Sequence, residues 1–420
     1  MFYKETDFKE EPFIGEIPID WDVAKLGDKS ISEIIMGQSP PSSTYNKDGV
    51  GLPFLQGKME FGDIYPKVLV YCSKPIKIAE PNDVLFSVRA PVGDVNLAPY
   101  KLCIGRGLAA IRFNNQRVSH SFYFYWFQKI KKRLEALGKG STFKAVNKDD
   151  LENLLVPLPP LNEQCVIVGV LGVVDSVIAK TGEVIAKTER LKKGLMQTLL
   201  TRGIGHKEYK QTPIGTTPKT WQIVRLEDYA YIKGRIGWRG LKASEYTEKG
   251  PYLIANKHLI NNRILWEACD HLSDFRYEES PEIQLKTNDI IISKDGTIGE
   301  AAIVDYLPDK ATINSTMMLI RVTREDLAPK FLFYFFQGPT FRRFIHQKVS
   351  GTSIPHLFQR DMKNLSVTLP PFGEQQKIVD ILTSVDKKLE LENFEKARLE
   401  RIKASLMELL LTGKMRVKVD

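Results

Sequence analysis

Residues able to do chemistry are present, but their spacing assembles no reaction centre. Gly51 and Gly57-Lys58 resemble a phosphate-cradling loop, yet the glycines are one residue too far apart and Met59 replaces the magnesium-binding hydroxyl. Leu369-Pro370-Pro371-Phe372 has the outline of the Asn/Asp-Pro-Pro-aromatic motif of amino-methyltransferases, but leucine has no polar atom for a target amine. His120, His206, His258, His271, His346 and His356 show no metal-ligand spacing. Cys72, Cys103, Cys165 and Cys269 lie far apart, which argues against a disulfide scaffold or zinc ribbon and fits a reducing cytosol. No nucleophile elbow and no dinucleotide glycine fingerprint occurs. The expectation is a non-enzymatic chain with no metal and no cofactor of its own.

What the residues do offer is binding. Side chains that reach base edges and phosphates cluster in glycine-rich or polar segments. In the first part of the chain these hold Gln38 and Ser39, Lys58, Arg89, Arg106, and Lys139 with Ser141 and Thr142. In the second they hold Lys233, Arg235, Trp238 and Arg239, then Asn256 and Lys257, Lys294 and Thr297, and Thr352 and Ser353. Segment 233–240, with three basic residues and Trp238 among glycines, is the strongest single candidate for a nucleic-acid contact.

The elements that must position these loops come in two copies. Leu158-Pro159-Pro160-Leu161-Asn162-Glu163-Gln164 returns as Leu369-Pro370-Pro371-Phe372-Gly373-Glu374-Gln375, 211 residues later. Asp175 and Asp386, Met196 and Met407, and Thr201 and Thr412 keep that offset. Ile14-Gly15 through Pro18 and Trp21 recurs as Ile214-Gly215 through Pro218 and Trp221, and Gly140-Ser141-Thr142 as Gly351-Thr352-Ser353. The offset drifts early in each half and is constant late, so each half joins a variable part to a part of fixed length.

The fixed part reads as a long helix, 162–200 and 373–411, ended by Gly203 and Gly413. A seven-residue apolar seam runs through Ile167, Leu171, Val174, Ile178, Leu191, Leu195 and Leu199. Its partner is Ile378, Leu382, Val385, Leu389, Leu399, Ile402, Leu406 and Leu410. Gly169, Gly172, Gly182 and Gly194 interrupt the first helix; a close helix approach or a partner's docking surface would each account for them.

The variable parts alternate β-rich runs, such as 83–88 and 317–322, with one aromatic helix each, 122–137 and 329–348, whose rings belong in a core. The architecture expected is α+β: two mixed α/β globules and two long helices packed as an antiparallel coiled coil, a dumbbell with pseudo-twofold repeat. Domain boundaries fall at 1–156, 157–205, 206–367 and 368–420. The N-terminus lacks the apolar run of a signal peptide, and no stretch reads as a membrane span.

Charge completes the picture. The chain carries a formal +9. The first helix is net +1 and the second net −1, so the excess belongs to the globules and their flanks, where it could meet phosphates.

With these motifs, I-G-x-[IT]-P-x-x-W, G-[ST]-[ST] and L-P-P-[LF]-x-E-Q written twice over nearly the whole chain, the sequence resembles the specificity subunits of type I restriction-modification systems. The resemblance implies two target recognition domains, each reading one half of a split target in double-stranded DNA. It also implies a coiled coil that sets their spacing and docks two methyltransferase subunits, with restriction subunits joining that complex. S-adenosylmethionine, ATP and magnesium would then belong to the partners, and the location would be cytoplasmic. Two other readings stay open: a specificity subunit serving a fused methyltransferase-endonuclease, and a coiled-coil scaffold with no role on DNA.

Overall fold

In the computed structural model, which describes residues 2–137, 145–235, 241–349 and 356–418, each Leu-Pro-Pro releases the chain from a short strand into a long helix. We label the main helices α1 (His120–Leu137), α2 (Leu161–Arg202), α3 (Pro329–Gln337), α4 (Pro339–Val349) and α5 (Phe372–Leu410). Gly203 and Gly413 follow the two long helices at φ of 66° and 68°. A Cβ at Gly203 would stand 2.4 Å from Glu374 Oε1, and one at Gly413 2.3 Å from Pro18 Cγ, so both stops demand glycine. Contacts divide the chain into two compact units, Met1–Glu183 with Phe394–Asp420, and Val184–Asn393.

The first unit is built on β1 (Ser32–Met36), β2 (Leu52–Leu55), β3 (Val84–Ser87), β4 (Leu102–Ile104) and β5 (Leu108–Phe113). An antiparallel sheet runs Val95–Leu97, β3, β5, β1; a second sheet joins β2 and β4 with three short strands. Because alternate residues of a strand face opposite ways, Val84, Phe86 and Ile111 meet the rings of α1 while Leu85 and Ala110 meet Leu55, Leu102 and Ile104 of the second sheet. All the aromatics of 122–127 are buried, as the apolar run required.

The second unit repeats the plan with β6 (Ala230–Gly234), β7 (Tyr246–Ile254), β8 (Ile290–Ser293), β9 (Ala311–Ile313) and β10 (Met317–Val322). Its sheet order is β6, β10, β8, Ala301–Ile303, and its second sheet is Asp270–Leu272, β7, β9. Ile290 and Ile292 face the helices and Ile291 faces the second sheet. The single aromatic helix expected at 329–348 is two helices, because Pro339 cannot continue the ladder of α3.

Both long helices contribute to both units. In the first, Ile167 and Leu171 near the start of α2 share a core with Met407 and Leu410 near the end of α5. In the second, Met196, Leu199 and Leu200 share one with Ile378 and Leu382. The pair is therefore antiparallel.

The seam needs correction at two places. Leu191 is 56% exposed and Ile402 39% exposed. A strict alternation of three and four residues from Leu171 and Leu382 reaches Lys192 and Lys403 instead. Lys192 Nζ lies 2.6 Å from Asp386 Oδ1 and Lys403 Nζ 2.7 Å from Asp175 Oδ1. Spacing, rather than side-chain polarity, decides which residue faces the partner helix. Val174, Ile178, Leu195, Val385, Leu389, Leu399 and Leu406 are half-buried.

The close-approach explanation for the α2 glycines falls: a Cβ at Gly169, Gly172, Gly182 or Gly194 would meet nothing within 4 Å. The expectation that no stretch is apolar enough to span a membrane also changes, since α2 contains an 18-residue window of mean hydropathy 1.8. Only 11% of that window is buried, and Val166, Val173 and Val177 lie exposed along it.

Candidate nucleic-acid interface

Short strands that end together bring their following loops together, and in the first unit four loops meet this way. Gly37 N and Gln38 N donate to Leu108 O and Ile104 O, drawing the segment after β1 onto the turn between β4 and β5. A Cβ at Gly37 would lie 2.2 Å from Gly105 O, so the approach requires glycine. Arg106 N donates to Ser39 Oγ at 3.1 Å, Gln56 Nε2 donates to the same oxygen at 3.0 Å, and Gly107 N donates to Gln56 O. Val88 N donates to Gly107 O and Val146 N to Val88 O, adding the segment after β3 and the one that includes Val146. Gln38, Gln56, Arg89 and Arg106 are exposed around this junction and Ser39 is half-buried within it.

Lys58 stands at the edge of the cluster with its charge already met. Its Nζ lies 2.7 Å from Asp94 Oδ2, and Lys131 Nζ 2.6 Å from Asp94 Oδ1. Burial alone would raise the Asp94 carboxyl, but the two ammonium groups outweigh it and hold it below the ordinary value.

The second unit joins the corresponding strand ends. Asn314 N donates to Ile254 O, Lys294 N to Thr316 O, and Leu357 N to Lys294 O. Asn256 Nδ2 donates to Thr297 Oγ1 at 2.7 Å and more weakly to Asp295 O, so this side chain ties two loops together. His356 pairs with Asp295, and Gly234 N donates to Gln359 Oε1. Lys233 and Lys294 are half-buried here and Thr297 is exposed. Lys257 faces Asp270, with Nζ 2.8 Å from Oδ2.

Arg235 departs from the sequence expectation. It is only 5% exposed, with Nε donating to Ile313 O at 2.9 Å and its terminal nitrogens reaching Ser280 and Thr312. Burial, then the nearby Arg276, lowers the pKa of its guanidinium. It braces the second sheet rather than facing outward. Lys139, Ser141, Thr142, Trp238, Arg239, Thr352 and Ser353 lie outside the described residues.

Behind each cluster stands a repeated brace that motif reading noticed without explaining. Trp21 Nε1 donates to Glu163 Oε2 at 3.2 Å, and Trp221 Nε1 to Glu374 Oε2 at 3.0 Å. Gln164 bonds Ser119 N and Pro159 O, as Gln375 bonds Ala328 N and Pro370 O. The recurring Glu-Gln thus fixes each long helix to its own globule. Tyr125 OH donates to Asp175 at 2.7 Å and Tyr334 OH to Asp386 at 2.8 Å, locking the aromatic helices onto the same long helices. Asp83 with Arg112, and Asp289 with Arg321, pair adjacent strands in both sheets. The aspartates at constant offset were the signal in the sequence; Lys192 and Lys403 keep the same offset and Tyr125 and Tyr334 recur in the aromatic runs, but no pattern announces that they meet.

Two α/β units of repeated build, each with a cluster of polar loops, make up the described chain. A family model of the type I restriction modification DNA specificity domain matches residues 18–190 and again 218–401, and the chain belongs to that family of DNA sequence-specificity subunits. The specificity-subunit family is non-catalytic. A putative type I restriction enzyme MjaX specificity subunit from Methanocaldococcus jannaschii is 52% identical over 199 residues, an alignment spanning 47% of each chain. The MjaVIII specificity subunit of the same organism is 27% identical across 100% of this chain and 98% of its own. The crystal structure of a type I restriction-modification S subunit from M. genitalium shares the fold at TM-score 0.58 and 16% identity, covering 96% of this chain and 97% of that one. The scaffold reading without DNA is thereby set aside.

Proposed function

We propose that each globule reads one half of a split target in double-stranded DNA, the first through Gln38, Ser39, Gln56, Arg89 and Arg106, the second through Lys233, Asn256, Lys294 and Thr297. The observation that carries this reading is the duplicated convergence of loops at corresponding strand ends. Gln, Ser, Asn and Arg side chains offer the donors and acceptors that distinguish base edges in the major groove, and exposed arginines supply phosphate contacts.

The long helices act as spacer and dock. Their antiparallel seam holds the separation of the half-sites, and the exposed Val166, Val173 and Val177 of α2 form an apolar face for a methyltransferase subunit. The open space over Gly169 and Gly172 suits a partner that approaches closely. Two methyltransferase subunits, and restriction subunits through them, complete the assembly. S-adenosylmethionine, ATP and magnesium belong to those partners, in the cytoplasm.

Methylome sequencing of cells that express this chain with its cognate methyltransferase tests the reading. A bipartite motif with a fixed gap is expected; a continuous motif, or methylation without sequence preference, would overturn it.

A further inference from the structure

Among the large apolar side chains of the described residues, Met59 is the most exposed, at 89%. That exposure belongs to a well-anchored turn. Gly57 N donates to Glu60 Oε2 at 3.2 Å, Phe61 N to Lys58 O, and Lys67 N to Glu60 O at 2.7 Å. One residue further, Gly62 exchanges hydrogen bonds with the fully buried Asn96. The turn therefore presents its thioether to solvent from a fixed platform, at the hydration cost of an unburied apolar group.

Its neighbours place that platform. Gln56, three residues before, bonds Ser39 and Gly107 inside the loop junction. Lys58, immediately before, reaches Asp94 at the end of the loop that carries Arg89. Met59 thus stands at the rim of the first contact cluster, between two of its loops. The exposed Arg89 and Arg106 on the adjoining loops favour a polyanion over an apolar protein partner. A methionine has no strong donor or acceptor, so on a base edge it can distinguish only an apolar group. In the major groove that group is the C5-methyl of thymine.

We infer that Met59 is a specificity-determining residue of the first half-site and packs on a thymine C5-methyl. The inference rests on the DNA-reading role proposed above. In the corresponding turn of the second unit the exposed Lys257 stands where Met59 does, since His258 Nδ1 accepts from Ala255 N as Glu60 Oε2 accepts from Gly57 N, so the apolar tip belongs to the first unit.

The test uses the chain in complex with its methyltransferase and a duplex selected from a library randomised in both half-sites. Arg106→Ala identifies the half read by the first unit. Each thymine in that half is then replaced by uracil, which removes the methyl and nothing else. Affinity should fall about fourfold at one position, the worth of one buried methyl. Met59→Ala should lose as much on the thymine duplex and be indifferent to uracil at that position, whereas Met59→Leu should keep the discrimination. The inference is overturned if Met59→Ala leaves the uracil response unchanged, or if the half-site contains no thymine on either strand. A wild-type complex that selects no motif would instead overturn the DNA-reading role itself.

Discussion

Arg416 donates from Nε to Glu163 Oε1 at 2.7 Å, joining the tail beyond α5 to the first turn of α2. The same guanidinium reaches Glu5 and Asp20, so three acidic side chains from separate segments converge on one arginine that is 5% exposed. In the second unit His206 takes the corresponding place, its Nε2 2.8 Å from Glu374 Oε1. The segment after each long helix therefore closes the globule that begins with the matching tryptophan.

Arg416→Ala should destabilise the first unit strongly, because Glu163 would be left buried with only Trp21 as partner. Removing one member of a buried pair costs about 3–5 kcal/mol. Chemical denaturation should show the loss, and His206→Ala should cost less since one hydrogen bond and an edge-on ring contact with Trp221 are removed. Equal effects would contradict the role of the arginine as the tie between Glu5, Asp20 and Glu163.

Arg235→Ala and Arg106→Ala should separate stability from recognition. The buried Arg235 holds Ile313, Ser280 and Thr312, so its loss should lower the melting temperature of the second unit. The exposed Arg106 should melt as wild type yet weaken binding to one half-site by about 1–3 kcal/mol if it contacts a base. Gel-shift titrations on half-site variants, run beside thermal melts, distinguish the two outcomes.

Asp94→Asn should act in two directions. Lys58 and Lys131 would lose their shared counter-charge, so affinity for non-specific duplex should rise and the salt dependence steepen by roughly one unit of log–log slope per added phosphate contact. Stability should fall at neutral pH. A carboxyl held below its ordinary value stabilises the fold above the usual carboxylate range, and the benefit is lost as pH falls through the lowered value. Melting curves of wild type and variant should therefore differ at pH 7 and converge in acid below about pH 4.

Val173→Glu with Val177→Glu should leave the chain folded, since both side chains are exposed. Co-purification with the methyltransferase should be lost, while circular dichroism and melting stay unchanged. Retained association would place the docking face elsewhere.

The sequence by itself determined the repeat, the two long helices and the buried aromatic runs. These depend on local periodicity and on proline and glycine punctuation, which act within a few residues. It also marked Asp175, Asp386, Glu163 and Glu374, because a fixed offset is visible without coordinates. Tertiary structure decided what those marks do. Asp175 meets Lys403 and Tyr125, far away along the chain, and no local pattern announces a partner so distant. The apolar Leu191 and Ile402 are a different case: the three-four spacing from Leu171 and Leu382, readable in the sequence, already gives the place to Lys192 and Lys403, and apolar character alone misleads. Arg235 shows the same limit at the candidate site. A basic residue beside glycines is the composition of an exposed loop, yet its side chain is buried, with Ile313 O receiving its Nε. Whether a charge faces water or core depends on the three-dimensional path of neighbours that sequence spacing cannot supply.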